Sequence, residues 1–102
     1  MPAADSNKTK SGNQNSRVLA IRNERGLHAR AAAKFVKTAG EFDANTNVSK
    51  DGQTVSGSSI MGLMMLAASI GSTIEVSASG NDAPDVLDAL EKLVDDRFGE
   101  EI

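Results

Sequence analysis

Cysteine, tryptophan and tyrosine are absent from this 102-residue sequence, proline occurs twice, and the only aromatic residues are three phenylalanines. Without cysteine there is no disulfide scaffold, no zinc finger and no thiol chemistry, a composition that suits a cytosolic protein. With so few aromatic rings there is no stacking platform for single-stranded nucleic acid, and no nucleic-acid partner is expected. Long apolar runs are missing too. The longest, Ile60 to Ile70, is interrupted by Gly62 and Ser69 and falls well short of the roughly 20 residues that cross a bilayer. The opening MPAADSNKTKSGNQNS has no apolar stretch of the kind a signal peptide carries, so a cytoplasmic location without membrane insertion is expected. At this length a single domain is expected.

Charge is present but unevenly placed. The formal net charge is −3. Residues 1–16 offer almost nothing apolar and are expected to be a disordered tail, leaving the domain to residues 17–102. Arg17 to Lys37 holds six basic residues and one acid, whereas Asp82 to the C-terminus holds eight acids against Lys92 and Arg97. Charge runs of this kind more often mark solvated helix faces, here of opposite sign; the sharper reading is an N-terminal part that handles an anion and a C-terminal helix that keeps the molecule soluble.

Hydrophobic spacing gives the elements. Arg17 to Arg22 is a short β-branched and apolar run that predicts a strand, closed by the Asn23-Glu24-Arg25-Gly26 turn. Ala32, Phe35, Val36 and Ala39 recur at helical spacing within Ala29 to Ala39 and predict an amphipathic helix stopped by Gly40. Phe42, Ala44, Thr46 and Val48 alternate with polar residues, and Asp51-Gly52 joins that strand to Gln53–Ser56 as a hairpin. Ser58 or Ser59 can cap a second, largely apolar helix through Ala68. Ile74, Val76 and Ala78 mark a fourth strand. Asn81 or Asp82 caps a last helix, with Pro84 in its first turn, that buries Val86, Leu87, Leu90, Leu93 and Val94 and ends near Gly99. The order βαββαβα predicts an α+β fold, a four-stranded antiparallel sheet with three helices on one face and water on the other.

His28 is the only histidine, so any imidazole chemistry belongs to it and no metal site is expected. A lone histidine is more often structural than functional, but this one adjoins the start of an Ala-rich helix. There the unpaired N–H groups of Ala29 and Arg30 point towards its ring. A phosphoryl group bonded to the ring would find those amides and the Arg30 guanidinium ready for its oxygens. Arg25, in the turn, is a weaker candidate for the same task.

Gly26-Leu27-His28-Ala29-Arg30 resembles the active-site signature of the HPr phosphocarrier family of the phosphoenolpyruvate-dependent phosphotransferase system. Ser58 to Leu66 resembles that family's regulatory serine and helix. The resemblance implies the HPr-like open-faced sandwich as the fold, and that His28, through Nδ1, accepts a phosphoryl group from enzyme I and passes it to an enzyme IIA, with Arg30 assisting. It implies a carrier rather than an enzyme, without cofactor, monomeric, whose Ser59 is phosphorylated by the ATP-dependent HPr kinase/phosphorylase. Ile60, Met61 and Met64 would then serve as an adaptable docking patch. Where the family usually has proline after the arginine this chain has Ala31, a departure that resembles members serving a nitrogen-related or regulatory relay. The competing expectation is a ferredoxin-like ligand-binding regulatory module in which His28 is structural.

Overall fold

The structure, a computed structural model, describes residues 14–102. Strand β1 spans Gln14–Ala20, helix α1 Ala29–Ala39, β2 Asn45–Lys50, β3 Gln53–Ser56, α2 Ile60–Met65, β4 Thr73–Ser79 and α3 Ala83–Asp95. A tight turn over Arg97–Gly99 follows. The strands lie in the order β1-β4-β2-β3, every pair antiparallel.

Register explains which face is wet. Leu19 lies opposite Ile74, and Val48 opposite Val76. All four are buried, with Ala78 beside them. Their sequence neighbours point the other way, and Val18, Asn47 and Glu75 are exposed. The three helices cover the first face. Ala31, Ala32 and Phe35 of α1, Leu63 of α2, and Val86, Leu87, Leu90 and Val94 of α3 complete one core.

Strand β1 begins three residues before the expected Arg17, because β4 is long enough to pair with Gln14, Asn15 and Ser16 through their backbones. Side-chain polarity does not prevent this at an edge strand, where ladder bonds come from the main chain. The remainder of the expected disordered tail, residues 1–13, lies outside the described residues. Beyond β1 the pairing continues without strand geometry, as Ile21 N donates to Ser72 O and Gly71 N donates to Ile21 O, both at 2.9 Å.

Helix α1 has the expected limits, but Gly40 ends it in the right-handed region at φ −72° rather than through a left-handed cap. The Asp51-Gly52 hairpin forms with both residues at positive φ, 52° and 84°, as a type I′ turn requires. Helix α2 is shorter than expected. It stops at Met65 because the chain turns at Ala67, whose φ is 54°. Asp82 stands at the N-cap of α3 without a side-chain cap bond; its Oδ2 instead accepts from Asp43 N at 2.8 Å and ties the entry of β2 to α3. Helix α3 ends at Asp95, before the expected limit. The following turn places Arg97, Phe98 and Gly99 consecutively in the left-handed region, a costly backbone for the two non-glycine residues. Phe98 is fully buried there.

The basic and acidic segments meet in the fold. Arg17 reaches across to α3, with Nη1 2.6 Å from Asp88 and 2.8 Å from Glu91. Arg22 pairs with Asp95 at 3.3 Å. These two cations tie the first strand and the residues just after it to the last helix.

Candidate functional site

Gly26 sets the geometry of the turn that carries His28. Its φ is +66°, and a Cβ there would stand 2.4 Å from Ala68 O. Only glycine lets the turn press on the loop after α2. Leu27 N then donates to Ala68 O at 2.9 Å, and Gly26 N donates to Asn23 O at 3.1 Å. The turn is thus held on both sides before the chain enters α1.

His28 is the N-cap of α1, in extended conformation, and its ring makes no cap bond to the helix. The first helical bond runs from Ala32 N to His28 O at 2.8 Å. The N–H groups of Ala29, Arg30 and Ala31 precede that ladder and carry the positive end of the helix dipole. Ala31, in place of the family proline, faces inward and is fully buried. Arg30 is exposed, and together with Arg25 it lines a shallow pocket of about 220 Å³ whose other walls are Glu100, Glu101 and Ile102. Both arginines are therefore beside the site.

The ring is not free on its far side. His28 Nε2 lies 2.5 Å from Glu100 Oε2, with the two side chains 24% and 15% exposed. Asn23 Nδ2 donates to Glu100 Oε1 at 3.0 Å and to Gly26 O at 2.8 Å. Asn23 is buried, and its Oδ1 finds no hydrogen-bond partner among the described residues. Turning the amide over would set that oxygen against two acceptors. Burial works to raise the Glu100 carboxyl pKa. The hydrogen bonds from His28 and Asn23, with the charges of His28 and Arg25, outweigh it and hold the group below the usual carboxylate range.

Neither Glu100 nor Asn23 was marked by the sequence. Glu100 stands 72 positions from His28 in an acidic tail that reads as a solvated face. Asn23 reads as an ordinary turn residue.

Ser59, rather than Ser58, caps α2: Gly62 N donates to Ser59 Oγ at 2.9 Å. Ser58 is exposed, and its Oγ lies 2.8 Å from Ser56 Oγ. On α2 and the loop after it, Ile60, Met61 and Met64 are exposed as expected, and Met65 and Ile70 join them, while Leu63 and Leu66 are buried. Because the loop after α2 is bonded to the turn before His28, this apolar patch and the histidine occupy neighbouring ground. Among the described residues no cluster of three potential metal ligands exists, and no helix is long and apolar enough to cross a membrane.

Known proteins resemble this chain in sequence and fold. The family model for the HPr component phosphorylation site of the phosphotransferase system matches residues 15–96. The phosphocarrier protein HPr of Cupriavidus necator is 48% identical over 84 residues, which span 82% of this chain and 94% of that protein. The phosphocarrier protein NPr of Shewanella violacea is 43% identical over 82% of this chain and 92% of its own length. The crystal structure of HPr-C-His from Thermoanaerobacter tengcongensis matches with a TM-score of 0.82 at 42% identity, covering 86% of this chain and 99% of that one. This likeness leaves no place for the ferredoxin-like alternative. With an HPr-like sheet, helices and histidine turn, and a family match across the domain, this chain belongs to the HPr family of phosphocarrier proteins of the phosphotransferase system.

Proposed function

We propose that this protein carries a phosphoryl group on His28, taking it from enzyme I and delivering it to an enzyme IIA as a cytoplasmic monomer. The observation that carries this reading is the setting of the ring at the N-cap of α1, with the first-turn N–H groups and Arg30 on one side and Nε2 engaged by Glu100 on the other. Nδ1 is then the nitrogen left to form a new bond. Its lone pair attacks phosphorus, the bond from phosphorus to the donor breaks as the P–N bond to His28 forms, and no ring proton has to leave. The N–H groups of Ala29 and Arg30 and the Arg30 guanidinium receive the phosphoryl oxygens. The exposed Ile60, Met61 and Met64 seat the partner beside the ring.

The experiment is incubation with phosphoenolpyruvate and a bacterial enzyme I. An acid-labile phosphoryl group should form on the wild type and be absent from His28→Ala, which should retain the fold. A phosphorylated His28→Ala protein overturns the assignment.

Ser59 is the proposed site of control by the HPr kinase/phosphorylase. It is half-buried at the start of α2, next to the apolar patch. A phosphate there adds about −1.5 to −2 charges at a helix end that tolerates an anion, and it spoils docking without unfolding the helix. ATP-dependent, acid-stable phosphorylation should raise the KM for phosphoryl acceptance while the circular dichroism stays unchanged. A fully phosphorylated sample that accepts phosphate from enzyme I like the unmodified protein would remove this role.

A further inference from the structure

Oxidation chemistry has few addresses on this chain. Cysteine, tryptophan and tyrosine are absent, and sulfur is present only in four methionines, three of which, Met61, Met64 and Met65, fall within five consecutive residues. All three stand on α2, where Met61 is 68% exposed, Met65 67% and Met64 39%. The core-facing positions of the same segment belong to Leu63 and Leu66, both buried. With the exposed Ile60 and Ile70, the methionines make up the apolar patch next to the histidine turn.

A peroxide can reach these thioethers without any unfolding. The sulfur lone pair attacks one peroxide oxygen, and the S–O bond forms as the O–O bond breaks. The departing oxygen takes up the proton of the transferred one and leaves as water, so sulfur loses the two electrons that the peroxide gains. The product, methionine sulfoxide, is polar where the thioether was apolar and flexible. In water the new oxygen is hydrated, but pressed against an apolar partner it lacks the hydrogen-bond donor it needs. The fold does not depend on the sulfurs, because the core contacts of α2 come from Leu63 and Leu66 and its cap from Ser59.

We infer that Met61, Met64 and Met65 form a reversible oxidation site, where conversion to the sulfoxides by a peroxide weakens docking of enzyme I without altering the fold. This rests on the proposal that enzyme I seats on this patch to phosphorylate His28. It adds a control that works through sulfur, separate from a phosphate on Ser59, and that a methionine sulfoxide reductase can undo.

The test uses the full chain, treated with hydrogen peroxide and freed of it before assay, so that enzyme I never meets the oxidant. Peptide mapping by mass should place one added oxygen on Met61 and on Met65 first and on Met64 more slowly, in the order of their exposure. The oxidised protein should keep its circular dichroism. Its KM for phosphoryl acceptance from enzyme I should rise roughly tenfold, with kcat within about twofold. Methionine sulfoxide reductase with a thiol reductant should return KM to its starting value. A variant carrying Met61→Leu, Met64→Leu and Met65→Leu, compared only with itself, should keep its KM through the same treatment. Sulfurs that resist the peroxide, an oxidised protein with unaltered KM, a KM that the reductase does not restore, an equal rise in the leucine variant, or a lost helical signal overturns this inference. Each leaves His28 as the acceptor. Untreated protein that takes no phosphoryl group overturns the carrier reading, and this inference with it.

Discussion

Lys34 Nζ donates to Phe98 O at 2.6 Å and so joins the helix that begins at His28 to the turn that precedes Glu100. The two ends of the domain are thereby locked together at the site. Shifting one would carry the histidine or its carboxylate out of register.

Gly26→Ala should be among the most damaging single substitutions. The new Cβ would meet Ala68 O at 2.4 Å, on a backbone at φ +66°. Left-handed strain and overpacking together should cost about 2–4 kcal/mol. Urea denaturation measures this, and phosphoryl acceptance should fall with it. An unchanged denaturation midpoint would contradict the contact.

The two serines at the start of α2 should separate cleanly. Ser59→Ala removes the bond from Gly62 N and should lower stability by about 1 kcal/mol, as loss of an N-cap does. Ser58→Ala should stay within about 0.5 kcal/mol, as exposed substitutions do. Equal losses in urea melts would mean that the cap is shared.

The arginines should divide by task. Arg30→Ala should slow phosphoryl acceptance roughly ten- to hundredfold with little effect on stability. Arg17→Gln breaks the contacts to Asp88 and Glu91. It should cost about 0.5–1 kcal/mol, less at high salt, and leave transfer unchanged. Slow transfer in Arg17→Gln would return the whole basic segment to the site.

Acid should expose the Glu100 contact as a stability effect. Its folded carboxyl is held below the ordinary value, which in an unfolded chain is about 4.3. A depressed carboxyl contributes stability that is present above the unfolded value and lost as pH falls through the folded one. The stability gap between wild type and Glu100→Gln should therefore be full above about pH 5 and shrink progressively below about pH 4. Urea titrations at pH 6, 4.5 and 3.5 check this; a gap that widens on acidification would reverse the sign of the coupling.

Short-range chemistry was enough to read the element order, α1 to the residue, the Asp51-Gly52 turn, and the histidine at a helix start. Helical and strand periodicity, turn residues and caps act over a few neighbours, and every one of those signals lies inside a short window. The same holds for exposure among Ile60, Met61 and Met64, since a short helix apolar around most of its circumference cannot bury every side against a one-sided sheet. Pairing across the chain followed other rules. Gln14 to Ser16 joined β1 because β4 offered backbone partners, and Arg17 went to Asp88 and Glu91 because β1 packs under α3. Glu100 reached His28 because a buried phenylalanine and a left-handed turn aimed it there. A side chain 72 positions away has no periodicity with the residue it meets, so its place was settled only when sheet order and helix packing brought the two ends of the chain together.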